Sequence, residues 1–201
     1  MPKRPKDTAE EVEIRSLADL HDWLARHHTR TEGVWLVHHK KVSQHYVPMG
    51  DIVDECLCWG WVDSLSRGKD ETRTMHWIAP RDAKSNWSRV NKDKIARLAA
   101  AGRLQPPGEE MVAVAKSTGT WTALDDVENL AIPPDLQAAF DAAPGSEANW
   151  QAFPRSVKRG ALEILLNARR PATRAAKIAT IIGDSAENRR PFQWRPKDDI
   201  G

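Results

Sequence analysis

Cys56-Leu57-Cys58-Trp59-Gly60-Trp61-Val62-Asp63-Ser64-Leu65 sets the architecture, because a helix ends and a strand begins inside it. Ile52, Val53, Cys56 and Leu57 make one apolar face at helical spacing, Asp51 can cap that helix, and Gly60 stands where a helix usually stops. Beyond it, Trp61-Val62-Asp63-Ser64-Leu65 and Thr74-Met75-His76-Trp77-Ile78-Ala79 flank Arg67-Gly68-Lys69-Asp70, the pattern of an antiparallel hairpin with a longer loop. Upstream, Gly33-Val34-Trp35-Leu36-Val37-His38 is short, apolar and rich in β-branched and aromatic residues, which predicts a buried strand. Ser16 with Asp19 three residues later forms a capping-box-like start, and Leu17, Leu20, Trp23 and Leu24 then repeat at helical spacing, predicting a helix over 16–28.

Downstream the pattern turns helical. Ser85 is read as the cap of a helix with Trp87, Val90, Ile95 and Leu98 inward and Gly102 as terminator, and Pro106-Pro107-Gly108 opens another that runs to about Lys116. Leu136, Ala139 and Phe140 fit a short helix. Val157, Ala161, Leu162 and Leu165 fit a longer one, and Pro171 suits the first turn of the last, with Ala175, Ile178 and Ile182 facing in. The expected fold is therefore α+β: a small antiparallel sheet packed with helices, followed by a C-terminal all-helical subdomain. The expected organisation is a flexible N-terminus over 1–15, an α+β domain over 16–118, a linker over 119–134 with little periodicity, a helical subdomain over 135–183 and a flexible tail over 184–201.

Composition narrows the functional classes. The chain has 201 residues, 40% hydrophobic, with a formal charge of +2 and a pI near 8.6, enough to bury a real core and too balanced to present a whole-chain field to a polyanion. Its two cysteines, Cys56 and Cys58, stand at i and i+2, which turns their thiols apart on one element and points to free thiols in a reducing compartment. The charged start Met1-Pro2-Lys3-Arg4-Pro5-Lys6-Asp7 is followed by no apolar run of signal-peptide length, and no stretch has the length of a membrane span. A cytoplasmic protein with no membrane insertion is expected.

Taken with Asp54-Glu55 before it, then Pro80-Arg81, Ser85-Asn86-Trp87-Ser88-Arg89-Val90-Asn91 and Gly102-Arg103-Leu104-Gln105-Pro106 after it, the Trp-rich stretch resembles the YdeI/OmpD-associated, bacteriocin-protection family. The resemblance runs from about Leu17 to Ile182 and takes in Ala161-Leu162-Glu163-Ile164-Leu165 and Arg169-Arg170-Pro171-Ala172-Thr173-Arg174. Members are linked by name to protection against bacteriocins or antimicrobial peptides and to an outer-membrane porin, so the resemblance implies a stress- or resistance-associated role, without implying a reaction or a cofactor. Where the family usually reads phenylalanine-glycine-tryptophan-isoleucine-aspartate-glycine, this chain has Trp59-Gly60-Trp61-Val62-Asp63-Ser64.

Indoles, a rigid guanidinium fork and a helix start make the inventory of an anion or planar-ligand site. The expected ligand-binding set is Trp59, Trp61, Asp63, Arg81, Trp87, Ser88 and Asn91, taking a small molecule in a cleft between the two parts. In that set the indoles stack, Arg81 contacts an anion, and Asp63, Ser88 and Asn91 orient it. The competing structural interpretation makes the indoles core and pairs Asp63 with Arg81 or Lys69. For an enzyme, Cys58, Asp63, Asp70 and His76 are candidates without diagnostic partner spacing, Asp63 being the best placed as a general base. His38, His39 and His45 lack zinc-site spacing, so neither metal nor cofactor is expected. A rival reading is nucleic-acid or polyanion binding by the C-terminal helices, where Arg155, Lys158, Arg159, Arg169, Arg170, Arg174 and Lys177 face a single Glu163, with Arg170, Arg174 and Lys177 near one side of the last helix. A third is a protein partner docking on Phe192 and Trp194 of the tail.

Overall fold

The computed structural model describes residues 8–193, and the chain divides into two compact units, Met1–Ala123 and Leu124–Gly201. In the first, β1 (Glu11–Glu13), α1 (Leu17–His27), β2 (Val34–His39), α2 (Met49–Cys58), β3 (Trp61–Gly68), β4 (Arg73–Pro80), α3 (Arg89–Ala100) and α4 (Pro106–Thr118) follow one another. The strands form one sheet in the order β1-β2-β4-β3. The expected hairpin is β3 against β4, antiparallel from Trp61 opposite Pro80, with a register shift between Asp63 and Ser66. Asp70 closes its turn, the carboxylate accepting the backbone N–H groups of Thr72 at 2.9 Å and Arg73 at 2.8 Å. The α+β class is as the sequence predicts, but the sheet is mixed: β1 joins β2 in parallel, in a stretch that the sequence places in a flexible N-terminus. Two glutamates around one valine make a weak strand signal, and Ile14, fully buried just beyond, anchors it.

Side chains alternate across each strand, so Val34 and Leu36 of β2, Ile78 of β4 and Trp61 of β3 face one side of the sheet, where α1 and α2 cover them. α1 starts as predicted: the Ser16 hydroxyl accepts from the Asp19 N–H at 3.1 Å, and Leu20, Trp23 and Leu24 make its buried face. Burying each such side chain stabilises the unit by roughly 1.5–3 kcal/mol. α2 begins after Pro48, so Asp51 stands inside its first turn and is not the cap that the sequence suggests; the helix ends at Cys58, and Gly60 two residues on has the left-handed φ of +74° that turns the chain away. α4 lies close on the C-terminal end of α2, a contact that requires Gly108: a Cβ there would stand 2.2 Å from the Cys58 carbonyl oxygen.

Two expectations about α3 are corrected. Its cap is Ser88, whose hydroxyl accepts the Asn91 N–H at 3.3 Å, and Ser85 lies in the loop before it. Val90 is 64% exposed, because it stands five residues from Ile95 and so points well away from the Ile95–Leu98 face.

The second unit is helical, with α5 (Asp125–Glu128), α6 (Pro134–Asp141), α7 (Ser146–Ala152), α8 (Arg155–Leu166) and α9 (Pro171–Ala186). Leu136, Phe140, Trp150, Val157, Leu162 and Leu165 belong to its core, and those of them that helical spacing singles out stand as predicted. α5 falls within the expected linker, and Leu124 and Val127 join the core. On α9 the fully buried hydrophobic residue is Ile181, whereas Ile178 and Ile182 are half-buried and Ala175 is exposed. α9 also continues into the expected tail: Asp184 and Ser185 are buried, and Phe192 packs against the unit's core at a φ of 58°. Trp194 lies outside the described residues. No helix among the described residues is long and apolar enough to cross a membrane.

Candidate functional site

The Trp-rich stretch forms the turn from α2 into β3, and most of its side chains point into the core. Cys56 and Cys58 are free and buried; burial pushes the Cys58 thiol up to about 11 and Cys56 further in the same direction, so both are protonated at neutral pH. Trp61 is fully buried, its ring 5.4 Å edge-on from Trp23. Trp87 is buried as well, and Arg81, 6% exposed, lies across its face at 3.9 Å. The Arg81 guanidinium donates to the Asn86 carbonyl oxygen at 2.6 Å, which fastens the loop before α3, while its Nε is buried without a hydrogen-bond partner. Burial brings its pKa down to about 10, which leaves it charged at neutral pH. Ser88 and Asn91 form the cap of α3.

Of the two partners that the sequence suggests for Asp63, Lys69 binds Glu11 at 2.5 Å and Arg81 binds backbone. Asp63 sits on the helix-covered face of β3; burial lowers the pKa of His76 on β4, and the Asp63 charge opposes that shift without reversing it. His76 Nδ1 lies 2.8 Å from Nε2 of His38, while His38 Nδ1 is buried without a hydrogen-bond partner. Burial, with His76 adding, lowers the His38 pKa to about 4. Among the described residues no group of three or more His, Cys, Asp or Glu side chains is arranged to hold a metal.

Two residues of the family-like stretch to which the sequence assigns no role in the site organise the other side of the turn. Glu55, buried in α2, accepts from Trp59 Nε1 at 3.0 Å, meets His21 Nδ1 at 2.8 Å through the same oxygen, and takes Arg103 on the other at 3.1 Å. Asp54 beside it is held by Lys94 at 2.6 Å and by Arg97; burial raises its pKa, but the two cations outweigh burial and the carboxyl stays below its usual range. The sequence signal for both is Asp54-Glu55 on the polar edge of an otherwise apolar helix, but apart from Trp59 their partners lie 34 to 48 residues away.

Trp59, 8% exposed, lines a cavity of about 390 Å³ beside Gly60. His28, Thr29 and Glu110 supply its polar side chains, and Pro80, Pro107 and Met111 supply apolar wall. The His28 ring lies 5.4 Å from the Trp59 ring, and its Nδ1 is 3.1 Å from the Ala25 carbonyl, which places a proton on Nδ1, so that in the neutral ring Nε2 is the acceptor. Among the described residues no lysine or arginine lines this cavity; its hydrogen-bonding side chains are a carboxylate, a hydroxyl and an imidazole.

In the second unit the expected basic surface is largely paired. Arg174 grips Asp135 with both ends of its fork, at 2.5 and 2.8 Å, and lowers that carboxyl's pKa. Arg159 joins Glu128 at 3.0 Å and Glu163 at 2.8 Å, Arg155 reaches the Glu128 carbonyl, and Lys177 stands 5.1 Å over Phe192. Arg169 and Arg170 are exposed.

Neither a curated protein nor a solved structure gives a significant match to this chain. Residues 12–111, which hold the Trp-rich stretch and the Ser85–Asn91 segment, match a family model described as Domain of unknown function (DUF8412). Residues 129–188, which hold the Ala161–Leu165 and Arg169–Arg174 segments, match the model described as Bacteriocin-protection, YdeI or OmpD-Associated, the family that the sequence resembles.

Proposed function

We propose that the first unit binds a small planar ligand that donates hydrogen bonds, such as an aromatic amine or amidine, in the Trp59 cavity. The observation that carries this reading is the meeting of an indole, locked by Glu55 through its Nε1–H, with a cavity whose polar side chains are all acceptors or hydroxyl. An aromatic ring gains contact with Trp59, Met111 and the two prolines, and a positive or N–H-rich edge gains Glu110. The anionic ligand expected from the sequence has less support, because the fork of Arg81 is turned to backbone inside the fold. Cytoplasmic residence belongs to the same proposal, supported by two cysteines that are free thiols.

A YdeI-like, bacteriocin-protection role is suggested by the match over residues 129–188, and capture of a small ligand is one way such a role is served. Polyanion binding by the second unit has less support, since Arg155, Arg159 and Arg174 already have partners. Catalysis through Asp63 would run through His76 and His38, and Asp63 does not line the Trp59 cavity.

The test is thermal stabilisation of the full chain by benzamidine, benzoate and benzyl alcohol at equal concentrations. A ligand that binds only the native state raises Tm by mass action. Benzamidine is expected to raise it most, and Glu110→Gln, on an exposed face of α4, to remove that advantage. Equal effects of all three compounds, or none from any, contradict the reading.

A further inference from the structure

The opposite flank of α4 carries another recess, of about 300 Å³, which none of the residues above explains. Ile95, Ala99, Leu104 and Val112 give it an aliphatic wall, and Trp121 and Lys116 complete it. Lys116 Nζ lies 5.5 Å from the centre of the Trp121 ring, and Lys92 Nζ lies 5.9 Å from it. One indole thus has two ammonium groups against it. The lining carries one ammonium, Lys116, and one carboxylate, Glu109, and Lys92, outside the lining, adds a second ammonium beside the same indole.

This indole is fixed before any ligand arrives. Its ring centre is 5.1 Å from that of Trp87, which in turn carries the Arg81 guanidinium at 3.9 Å on its face. The backbone is tied at the same place: Trp121 N–H donates to the Ala115 carbonyl at 3.0 Å, and Trp87 N–H donates to the Thr120 carbonyl at 3.1 Å. Arg81, Trp87 and Trp121 therefore form a ladder that begins in the core and ends at the recess. Preorganisation of this kind lowers the ordering cost of binding.

We propose that this recess is a binding site for a small organic monocarboxylate with an apolar body. The body lies against Ile95, Ala99, Leu104 and Val112, where it displaces water from aliphatic surface, and the carboxylate meets Lys116, with Lys92 adding to the field. A charge-assisted pair at the mouth of an apolar recess distinguishes an acid from an alcohol of the same shape, because only the acid carries the complementary charge. The volume, at the lower end of ligand pockets, suits a short acyl chain or a single ring. The site shares no lining residue with the Trp59 cavity and stands or falls separately from it.

The experiment titrates the full chain with hexanoate and with hexan-1-ol, following the indole N–H resonances by two-dimensional NMR, with the Trp121 signal identified by Trp121→Phe. Hexanoate is expected to shift the Trp121 resonance and to bind at least about tenfold more tightly than the alcohol. Lys116→Met, which keeps the apolar stem of an exposed side chain, removes that preference, and Lys92→Met reduces it about two- to threefold. The proposal is overturned if the alcohol binds as tightly as the acid. It is equally overturned if hexanoate moves the Trp59 signal and leaves Trp121 unchanged, or if the preference survives in a folded Lys116→Met protein.

Discussion

Arg81 of the first unit and Arg174 of the helical unit are alike in the sequence, each an arginine in a segment rich in candidate ligand contacts, yet the fold gives them structural partners of different kinds. Arg81 is buried, stacked on Trp87 and bonded to a backbone carbonyl. Arg174 lies nearer the surface, bidentate to Asp135. A cation's availability is thus set by what the fold brings to it from a distance, here an indole six residues on or a carboxylate 39 residues back. The ligand sites proposed for the first unit accordingly lie at Trp59 and Trp121 rather than at the buried Arg81.

Substitution tests this contrast, starting with its strongest member. Trp87→Ala removes a fully buried indole together with the face that supports Arg81, and is expected to cost about 3–5 kcal/mol in chemical denaturation. A loss under about 1 kcal/mol would show that the ladder does not support the fold. Gly108→Ala forces a Cβ onto the Cys58 carbonyl, with an expected loss of about 1–3 kcal/mol. Gly160→Ala in α8, where a Cβ meets nothing within 4 Å, should instead stabilise by up to about 1 kcal/mol through helix propensity.

The buried His38–His76 contact extends the test to pH. His38 titrates near 4 in the folded protein against about 6.5 when unfolded, so the unfolded chain holds more protons between these values. The contribution of His38 to stability is therefore full above about pH 6.5 and falls as pH drops toward about 4. His38→Gln should flatten that part of the profile in denaturation series at matched ionic strength; an unchanged slope would remove His38 as its cause. The smallest effect belongs to Arg174→Ala, at most about 1 kcal/mol and reduced by salt, because both partners of its pair are partly solvated.

The fold is legible in the sequence where periodicity is strong. Leu20, Trp23 and Leu24 with their Ser16 cap, the Val34–Val37 strand and the hairpin around Asp70 all stand as their patterns predict. β1 escapes because a three-residue edge strand flanked by glutamates has no pattern of its own. Val90 misleads because an apolar residue one position off the stripe resembles part of it, and α5 is hidden because four residues are too short for a period. The site is legible only as a location. The stretch around Trp59 does adjoin a cavity, but Glu55, His28 and Glu110 come from three separate helices or their ends, and Trp121 stands in a segment without periodicity. No spacing rule joins residues that distant, and only the folded backbone brings them together.

Ligand binding by the first unit turns on whether the Trp59 cavity takes a planar hydrogen-bond donor. The direct measurement is titration of the full chain with benzamidine while following the Trp59 indole N–H, identified by Trp59→Phe, in wild type and Glu110→Gln. A saturable shift of that resonance is expected in wild type, with an affinity at least about tenfold weaker in the variant. A Trp59 signal that stays fixed through the titration, or a shift that the loss of the Glu110 charge leaves unchanged, would contradict it.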